Sequence, residues 1–332
     1  MFAVISGESL TPPTIISNTI ADRSTVIQGS SSIGLEYPLG LTAYDSNGGE
    51  SLLVTDSIKN QIIHLQNIDS INKNISVLVQ NWTGDGGSLT NPSYLFLDTN
   101  HENNLYVTDS ANQRVVLFTS MQVNDPLPMV VAGMTGSGGS TSDKFVIPYG
   151  VVADSEQNLY VADHYNHRIM FWTKTASSGI MIAGTGIEGM NSMELNYPMG
   201  LFLDEFNSLL YVADKGNHRV QVFHLTGIPP YNGSTVAGGN GAGSGNHQLY
   251  QPSAIWVSRK TGAVYITDSS NHRVQRWDAG ATTGSTVAGD HNGISGFDQT
   301  RLSTPTGLTI NQNETRMYVS DTGNGRIQWF DL

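Results

Sequence analysis

The chain of 332 residues contains no cysteine. Disulfides, thiolate metal sites and cysteine nucleophiles are therefore excluded. Basic residues are also few, since 16 Lys and Arg stand against 28 Asp and Glu and give a formal net charge of −12. A surface of this charge repels a phosphate backbone, so we expect no nucleic acid among the partners.

Long apolar runs and helical periodicity are missing as well. No stretch approaches the roughly 20 apolar residues of a membrane span, so none is expected. Residues 1–20 lack the basic start and continuous apolar centre of a signal peptide. Asn-x-Ser/Thr triplets at Asn74, Asn81, Asn232 and Asn313 nevertheless favour an extracellular or secreted domain, in which case its export signal has been removed.

The chain does contain one sequence unit that is repeated six times, most clearly from Tyr197 to Phe223. A Pro-x-Gly opens an apolar run that ends at Asp204, a second run ends at Asp214, and Arg219 opens a third. Short apolar runs separated by tight turns are typical of β-strands in a meander. The aspartate of the second run recurs at Asp56, Asp109, Asp163, Asp214, Asp268 and Asp321. A regular spacing of 51 to 54 residues indicates a repeat architecture.

A fourth apolar run, mostly ending in glycine, separates successive copies. The matching run for the last copy lies at the other end of the chain, from Ser24 to Gly29. We therefore expect this N-terminal strand to pair with the strand from Arg326 to Phe330 and to close a ring. The prediction is an all-β, six-bladed β-propeller with four-stranded antiparallel blades.

This prediction divides the chain into an N-terminal extension, residues 1–23, and a single propeller, residues 24–332. The propeller is expected to be a monomeric domain of a larger protein. The predicted blades are residues 38–80, 92–133, 148–184, 198–238, 252–289, and 305–330 together with 24–29.

The turn after the second strand reads Asn-His-Arg in three copies, for example in YVADKGNHRVQVF around His218. At these residues the chain resembles the NHL-repeat family, named for the Asn-His-Leu of this turn. The likeness covers nearly the whole chain, although copy one carries Gln61 in place of the arginine. The resemblance implies a six-bladed propeller. It also implies a role in binding, because NHL propellers often serve as interaction or sensor domains.

An aspartate and an arginine stand five residues apart in five of the copies. The pairs are Asp109/Arg114, Asp163/Arg168, Asp214/Arg219, Asp268/Arg273 and Asp321/Arg326. A catalytic site needs one asymmetric set of groups, so five equal pairs are interpreted as structural. The aspartate is expected to cap the turn and to pair with the arginine that opens the next strand. The turn histidines His167, His218 and His272 receive the same interpretation.

The candidate binding site lies on one face of the propeller. Because strands alternate in direction, the loop that enters each first strand opens on the same face as the Asn-His-Arg turn, and binding residues concentrate in such loops. The candidate ligand-binding residues there are Trp82, Tyr94, Tyr149, His164, Tyr165, Tyr197, Lys215, His247 and Tyr250. Aromatic side chains with a polar tip suit recognition. They also suit packing between blades, and the sequence leaves both roles open.

We expect a non-catalytic binding or sensor module whose partner is a protein, a peptide or a small molecule, because no asymmetric set of acid, base and nucleophile stands out. The alternative is a metal-dependent propeller enzyme, similar to peptide-amidating lyases or calcium-dependent lactonases. The lyase pattern has histidines directly after the opening prolines. These positions here hold Leu39, Ser93, Tyr149, Met199, Ser253 and Thr306. No cofactor is expected, while a structural Ca²⁺ or a channel metal stays open. RNA binding, a property of some NHL domains, conflicts with the low basic content.

Overall fold

A computed structural model describes residues 25–27, 34–46, 49–68, 74–79, 87–119 and 128–332. These residues form 24 strands in six four-stranded antiparallel sheets, so the predicted all-β, six-bladed propeller is confirmed. The N-terminal extension, Trp82 and the ends of the predicted closing strand lie outside the described residues. Within the described ranges, no helix is both long and apolar enough to cross a membrane.

The first three blades follow one another along the chain. Blade 1 contains β2 (Pro38–Ser46), β3 (Gly49–Asp56), β4 (Gln61–Gln66) and β5 (Asn74–Val79). Blade 2 contains β6 (Pro92–Asp98), β7 (Asn104–Asp109), β8 (Arg114–Phe118) and β9 (Met129–Gly133). Blade 3 contains β10 (Pro148–Ala153), β11 (Leu159–Asp163), β12 (Arg168–Trp172) and β13 (Ile180–Gly184).

The last three blades repeat this order, and the final one borrows its fourth strand. Blade 4 contains β14 (Pro198–Asp204), β15 (Leu209–Asp214), β16 (Arg219–His224) and β17 (Gly233–Gly238). Blade 5 contains β18 (Pro252–Val257), β19 (Val264–Asp268), β20 (Arg273–Trp277) and β21 (Ser285–Gly289). Blade 6 contains β22 (Leu308–Ile310), β23 (Arg316–Asp321), β24 (Arg326–Asp331) and β1 (Thr25–Ile27).

The ring closes through the pairing of β1 with β24. The two strands are antiparallel, and Thr25 lies opposite Gln328 while Ile27 lies opposite Ile327, with an irregularity in the register between them. Closure of this kind leaves the final sheet complete and gives its third strand a partner on both sides. The predicted pairing of the N-terminal strand with the last strand of the chain is confirmed.

The hydrophobic core is divided among the interfaces between adjacent blades. Each of six buried clusters combines side chains from two neighbouring blades. Tyr106 of blade 2, for example, packs with Val151 and Met170 of blade 3. Burial of one such large side chain contributes about 1.5–3 kcal/mol. The blades are therefore stabilised mainly by each other.

The first strands of the blades line the channel and approach one another closely. A Cβ added at Gly150 would lie 2.3 Å from the carbonyl oxygen of Met199, and one added at Gly200 would lie 2.4 Å from that of Ser253. The Pro-x-Gly of the repeat is thus required where backbone meets backbone. In blade 2 the same position holds Tyr94.

Candidate functional site

One face of the propeller, here called the upper face, carries two sets of loops. A one-turn 3₁₀ helix joins the second and third strands in blades 2 to 6, as His164–Asn166 does in blade 3, and a turn takes its place in blade 1. The loop that enters the first strand lies beside it, because Arg168 at the end of this turn donates to the carbonyl oxygens of Ser140, Thr141 and Lys144 at 2.7–3.0 Å. The turns between the other strands lie on the opposite, lower face.

Three repeated side chains hold each entering loop in place. In blade 3, Asp163 accepts hydrogen bonds from Arg168 Nε at 2.7 Å, from Asn166 Nδ2 at 2.8 Å and from the main-chain N–H of Val146 at 2.8 Å. Asn166 also donates to the carbonyl oxygen of Gly139 in the loop. We call this Asp-Asn-Arg set the loop clamp. Burial raises the pKa of the Asp163 carboxyl, an effect that these donors oppose.

The clamp recurs with little variation. The Nε–Oδ2 distance is 2.6–2.8 Å in all five Asp–Arg pairs, and every aspartate of these pairs is fully buried. Blade 1 departs from the pattern because Gln61 replaces the arginine. There Lys59 donates to the carbonyl oxygen of Gly34 instead, and its ammonium lies 3.7 Å from Glu36.

The residue between the asparagine and the arginine links neighbouring blades. His167 Nδ1 accepts a hydrogen bond from the N–H of Tyr197 at 3.2 Å, and Tyr197 directly precedes the opening proline of the next blade. His218 and His272 accept equivalent bonds at 3.2 and 3.0 Å. Both bonded residues, His167 and Tyr197, have φ near +50°, a conformation that few non-glycine residues adopt. The histidines therefore bridge blades as well as turns.

Five of the predicted site residues form one group of rings, here called the mouth cluster. Its members are Tyr94, Tyr149, His164, Tyr165 and Tyr197, which come from blades 2, 3 and 4. His164 lies at the centre, with ring centroids 5.1–5.3 Å from those of Tyr149, Tyr165 and Tyr197. Tyr94 extends the cluster at 6.3 Å from Tyr149. Half of the Tyr165 surface is exposed, which leaves one ring free for contact.

Tyr94 also reaches across the channel. Its hydroxyl lies 3.4 Å from the carbonyl oxygen of Ser253 in blade 5 and 3.4 Å from that of Thr306 in blade 6. Because the phenol is a donor and burial raises its pKa, it stays protonated and donates to these oxygens. The side chain thus obstructs the channel below the mouth cluster.

His164 is held as a neutral ring. Only 8% of it is exposed, and its Nδ1 lies 3.0 Å from the carbonyl oxygen of Pro198. Since a carbonyl only accepts, Nδ1 carries the proton and Nε2 is an acceptor. Burial lowers the pKa of His164 to about 4. At neutral pH this residue is therefore an uncharged hydrogen-bonding ring within the cluster.

Lys215 differs from its counterparts around the channel. The residue that follows the second-strand aspartate is Ser57, Ser110, His164, Lys215, Ser269 or Thr322. In blades 2, 3, 5 and 6 this residue bonds the carbonyl oxygen of the next blade's opening proline. Among the described residues, none is a hydrogen-bond or ion-pair partner for the Lys215 ammonium. Burial lowers the pKa of Lys215, and its charge also lowers the pKa of His164, so the two side chains share one environment.

The remaining predicted residues lie apart from the mouth cluster. Tyr250 packs edge-on against His218 at 5.3 Å, and His247 is exposed in the glycine-rich loop that enters blade 5. In the part of the chain that the structure describes, neither has a ring contact with the cluster. His167 was predicted only as a turn residue, but its ring centroid lies 4.7 Å from that of Tyr197. The sequence signal for this contact was the tyrosine that directly precedes the opening proline of the next blade.

Other parts of the described surface bring together fewer polar or aromatic side chains that could bind a ligand. A groove of about 290 Å³ lies between blades 2 and 3 on the lower side, and Tyr106, Leu117, Met129 and Leu159 contribute to its largely apolar lining. No group of three or more His, Asp or Glu side chains in the described ranges is arranged to hold a metal ion. The upper-face mouth is therefore the place where unusual side chains converge.

The strand order and the clamped loops define the molecule as a six-bladed propeller of repeated units. The sequence model of the NHL repeat matches residues 145–169, 195–223 and 249–277. These ranges run from the end of the entering loop through the first two strands and the Asn-His-Arg turn of blades 3 to 5, and in blades 4 and 5 they include most or all of the third strand. The chain thus carries NHL repeats in blades 3 to 5 of a six-bladed β-propeller.

Proteins with related sequences are longer than this chain. Protein SUPPRESSOR OF QUENCHING 1, chloroplastic, of Arabidopsis thaliana is 27% identical over 258 residues, which are 70% of this chain and 24% of that protein. NHL repeat-containing protein 2 of Homo sapiens is 26% identical over 275 residues, which are 69% of this chain and 38% of that protein. The chain spans less than two fifths of either relative.

Among solved structures, the fold is similar to that of XC5397, a gluconolactonase from Xanthomonas campestris. The TM-score is 0.64, the sequence identity is 13%, and the match covers 97% of this chain and 95% of that one. At this identity the similarity concerns the fold.

Proposed function

We propose that this propeller is a non-catalytic binding module whose ligand, a peptide, a protein segment or a small molecule, contacts the mouth cluster on the upper face. The observation that carries the proposal is the convergence of Tyr94, Tyr149, His164, Tyr165 and Tyr197 from three blades into one sector of the channel mouth. Amphipathic aromatic side chains are enriched at recognition surfaces because they bury a large area and keep a polar tip.

The opposite sector of the mouth has a different chemistry. There the corresponding positions hold Ser253, Ser269, Thr306 and Thr322, whose hydroxyls bond to each other or to main-chain carbonyls at 2.5–2.9 Å. These groups are satisfied within the protein, so they offer little to a ligand. The asymmetry singles out the sector of blades 3 and 4 as the binding side.

The same geometry disfavours catalysis by side chains at the mouth. Each repeated aspartate of blades 2 to 6 is paired with an arginine and buried, and the hydroxyls of the ring donate to carbonyls. His164 has a pKa of about 4 and bonds a carbonyl oxygen, where an orienting carboxylate would stand in an acid–base pair. The mouth thus presents contact surfaces without a hydroxyl that is activated by a paired base.

The metal-dependent enzyme alternative requires convergent ligands. The described part of the chain offers no cluster of three His, Asp or Glu side chains for an ion. The similarity to a gluconolactonase is one of fold at 13% identity, and function resides in site residues and not in the fold. These observations favour binding over metal-dependent catalysis.

A fragment screen tests the proposal. Ligand-observed NMR of the intact chain against a library of soluble aromatic fragments is expected to give hits that Tyr165→Ser weakens about two- to tenfold, since an aromatic contact contributes about 0.5–1.5 kcal/mol. The matched control is Phe206→Ser, because Phe206 is 96% exposed on the lower face. Hits that respond to Phe206→Ser and not to Tyr165→Ser would refute the proposed face.

A further inference from the structure

We infer that the ligand of the mouth cluster is an aromatic carboxylate, whose anionic group pairs with Lys215 while its ring contacts Tyr165. The inference rests on the proposed binding function and specifies the chemistry of that site.

The Lys215 ammonium differs from the groups at the equivalent positions of other blades. Its equivalents in blades 2, 3, 5 and 6 use this position to bond the next blade's proline carbonyl. Lys215 is only partly exposed, and the described residues provide no acceptor for its ammonium. A partly buried cation without an acceptor loses part of its hydration and gains no hydrogen bond or ion pair from the protein. Binding of an anionic ligand is therefore favoured there.

The residues around the mouth lack acidic side chains. Twelve residues surround the mouth, one directly after each opening proline and one directly after each second-strand aspartate. They are Leu39, Ser93, Tyr149, Met199, Ser253 and Thr306, and Ser57, Ser110, His164, Lys215, Ser269 and Thr322. None of the twelve is acidic, although the chain as a whole carries a net charge of −12. This ring of twelve residues therefore carries one cation, Lys215, and no anion.

The mouth offers an aromatic surface above an obstructed channel. The rings of Tyr165 and Tyr197 meet edge to face with centroids 5.4 Å apart, and Tyr165 is half exposed. Tyr94 obstructs the channel below, because its hydroxyl bonds to carbonyls of blades 5 and 6. A ligand is thus held at the surface, where its planar group contacts the ring of Tyr165. Its anionic group has to be small, because the channel below is obstructed. A free aromatic acid and the C-terminal residue of a peptide that ends in Phe, Tyr or Trp both have this chemistry.

The test compares an acid with its neutral amide. Isothermal titration of the intact chain with N-acetylphenylalanine and with N-acetylphenylalaninamide is expected to show at least about tenfold tighter binding of the acid, the usual effect of a hydrogen bond to a charged group. Lys215→Met is expected to abolish this preference and to leave the affinity for the amide unchanged. Lys215→Arg is expected to retain it.

The matched control is Lys144→Met, which removes the same charge from the loop that enters blade 3, where the lysine contributes only its carbonyl oxygen to the loop clamp. Equal affinity of the wild-type chain for acid and amide, or a loss of preference in Lys144→Met equal to that in Lys215→Met, would overturn the inference. Absence of binding by both compounds would also overturn it, while fragment hits sensitive to Tyr165→Ser would leave the binding function standing. A peptide ending in free Phe and the same peptide with Phe in its interior separate the two sources of the carboxylate.

Discussion

Removal of Arg168 from the loop clamp is the sharpest perturbation of the scaffold. The guanidinium makes four hydrogen bonds, one to Asp163 at 2.7 Å and three to carbonyl oxygens of the entering loop at 2.7–3.0 Å. The exposed fractions of the two side chains are 8% and 0%. Arg168→Met leaves a buried carboxylate with two neutral donors, and breaking a buried pair in this way costs about 3–5 kcal/mol. For 332 residues, an unfolding entropy of about 2.1 cal/mol/K per residue converts 4 kcal/mol into a Tm lower by about 6 °C.

The assay is chemical denaturation combined with hydrogen exchange. Amides of the loop at 134–147 are expected to lose protection in Arg168→Met, because the loop carbonyls lose their donors. Arg276→Met is the matched control, since Arg276 lies 2.6 Å from Asp278 but the two side chains are 18% and 68% exposed. A pair with an exposed partner contributes about 1 kcal/mol or less. Equal losses of stability in the two variants would refute the reasoning, because burial and not distance is expected to decide the outcome.

Three further predictions concern the mouth and the lower face. His164→Ser is expected to reduce the loss of folding free energy at acid pH. The pKa of His164 is about 4 in the folded chain and ordinarily 6.5, so between these values the unfolded chain binds a proton that the folded chain does not. The wild type therefore loses up to about 3 kcal/mol of folding free energy as the pH falls from 6.5 to 4. Urea midpoints at pH 7 and pH 4 measure this. Tyr94→Phe is expected to destabilise by about 1 kcal/mol in the same assay, because the donor to two carbonyls is lost. In a eukaryotic secretory host, the Asn81→Gln variant, which lacks the acceptor outside the described residues, is expected to carry glycans on the exposed acceptors of the lower face and to keep its fragment binding. These acceptors are Asn74, Asn232 and Asn313.

Each of these predictions has a control. Tyr37→Phe removes a hydroxyl from a more exposed tyrosine near the mouth and should leave the urea midpoint unchanged. Met193→Thr creates an acceptor at Asn191 in the upper-face loop that enters blade 4, and a glycan there should block fragment binding. A constant stability difference between His164→Ser and the wild type from pH 7 to pH 4 would contradict the protonation argument. Loss of binding caused by the lower-face glycans would contradict the assignment of the binding face.

The blade count and the ring closure were predictable because they follow from main-chain periodicity. Aspartates at 51–54-residue intervals fix the repeat, and a strand missing at one end of the chain is matched by a spare strand at the other. These signals act through strand pairing, which needs only short apolar runs and turns. The pairing of Thr25 with Gln328 therefore required no knowledge of side-chain packing.

The candidate site was predictable in composition but not in arrangement. Tyr94, Tyr149 and Tyr197 were treated alike because each lies near an opening proline. They stand two residues after, one after and one before that proline, and the structure gives them different roles. Tyr94 replaces the channel glycine and crosses to blades 5 and 6, whereas Tyr197 bonds His167 of the preceding blade. Contacts between blades depend on ring geometry, which a single repeat does not contain.

The loop clamp explains how a rigid scaffold can carry a variable binding face. Arg219 donates to the carbonyl oxygens of Met190, Asn191 and Glu194, and Asn217 donates to that of Gly189. All four acceptors belong to the main chain, so the clamp constrains the path of the loop and leaves its side chains free to differ. Charge-assisted bonds of this kind are strong and directional. Substitutions at Met190 that keep the main-chain path should therefore alter what the upper face binds without altering the blade beneath it, and the repeated residues act on function only by holding that path.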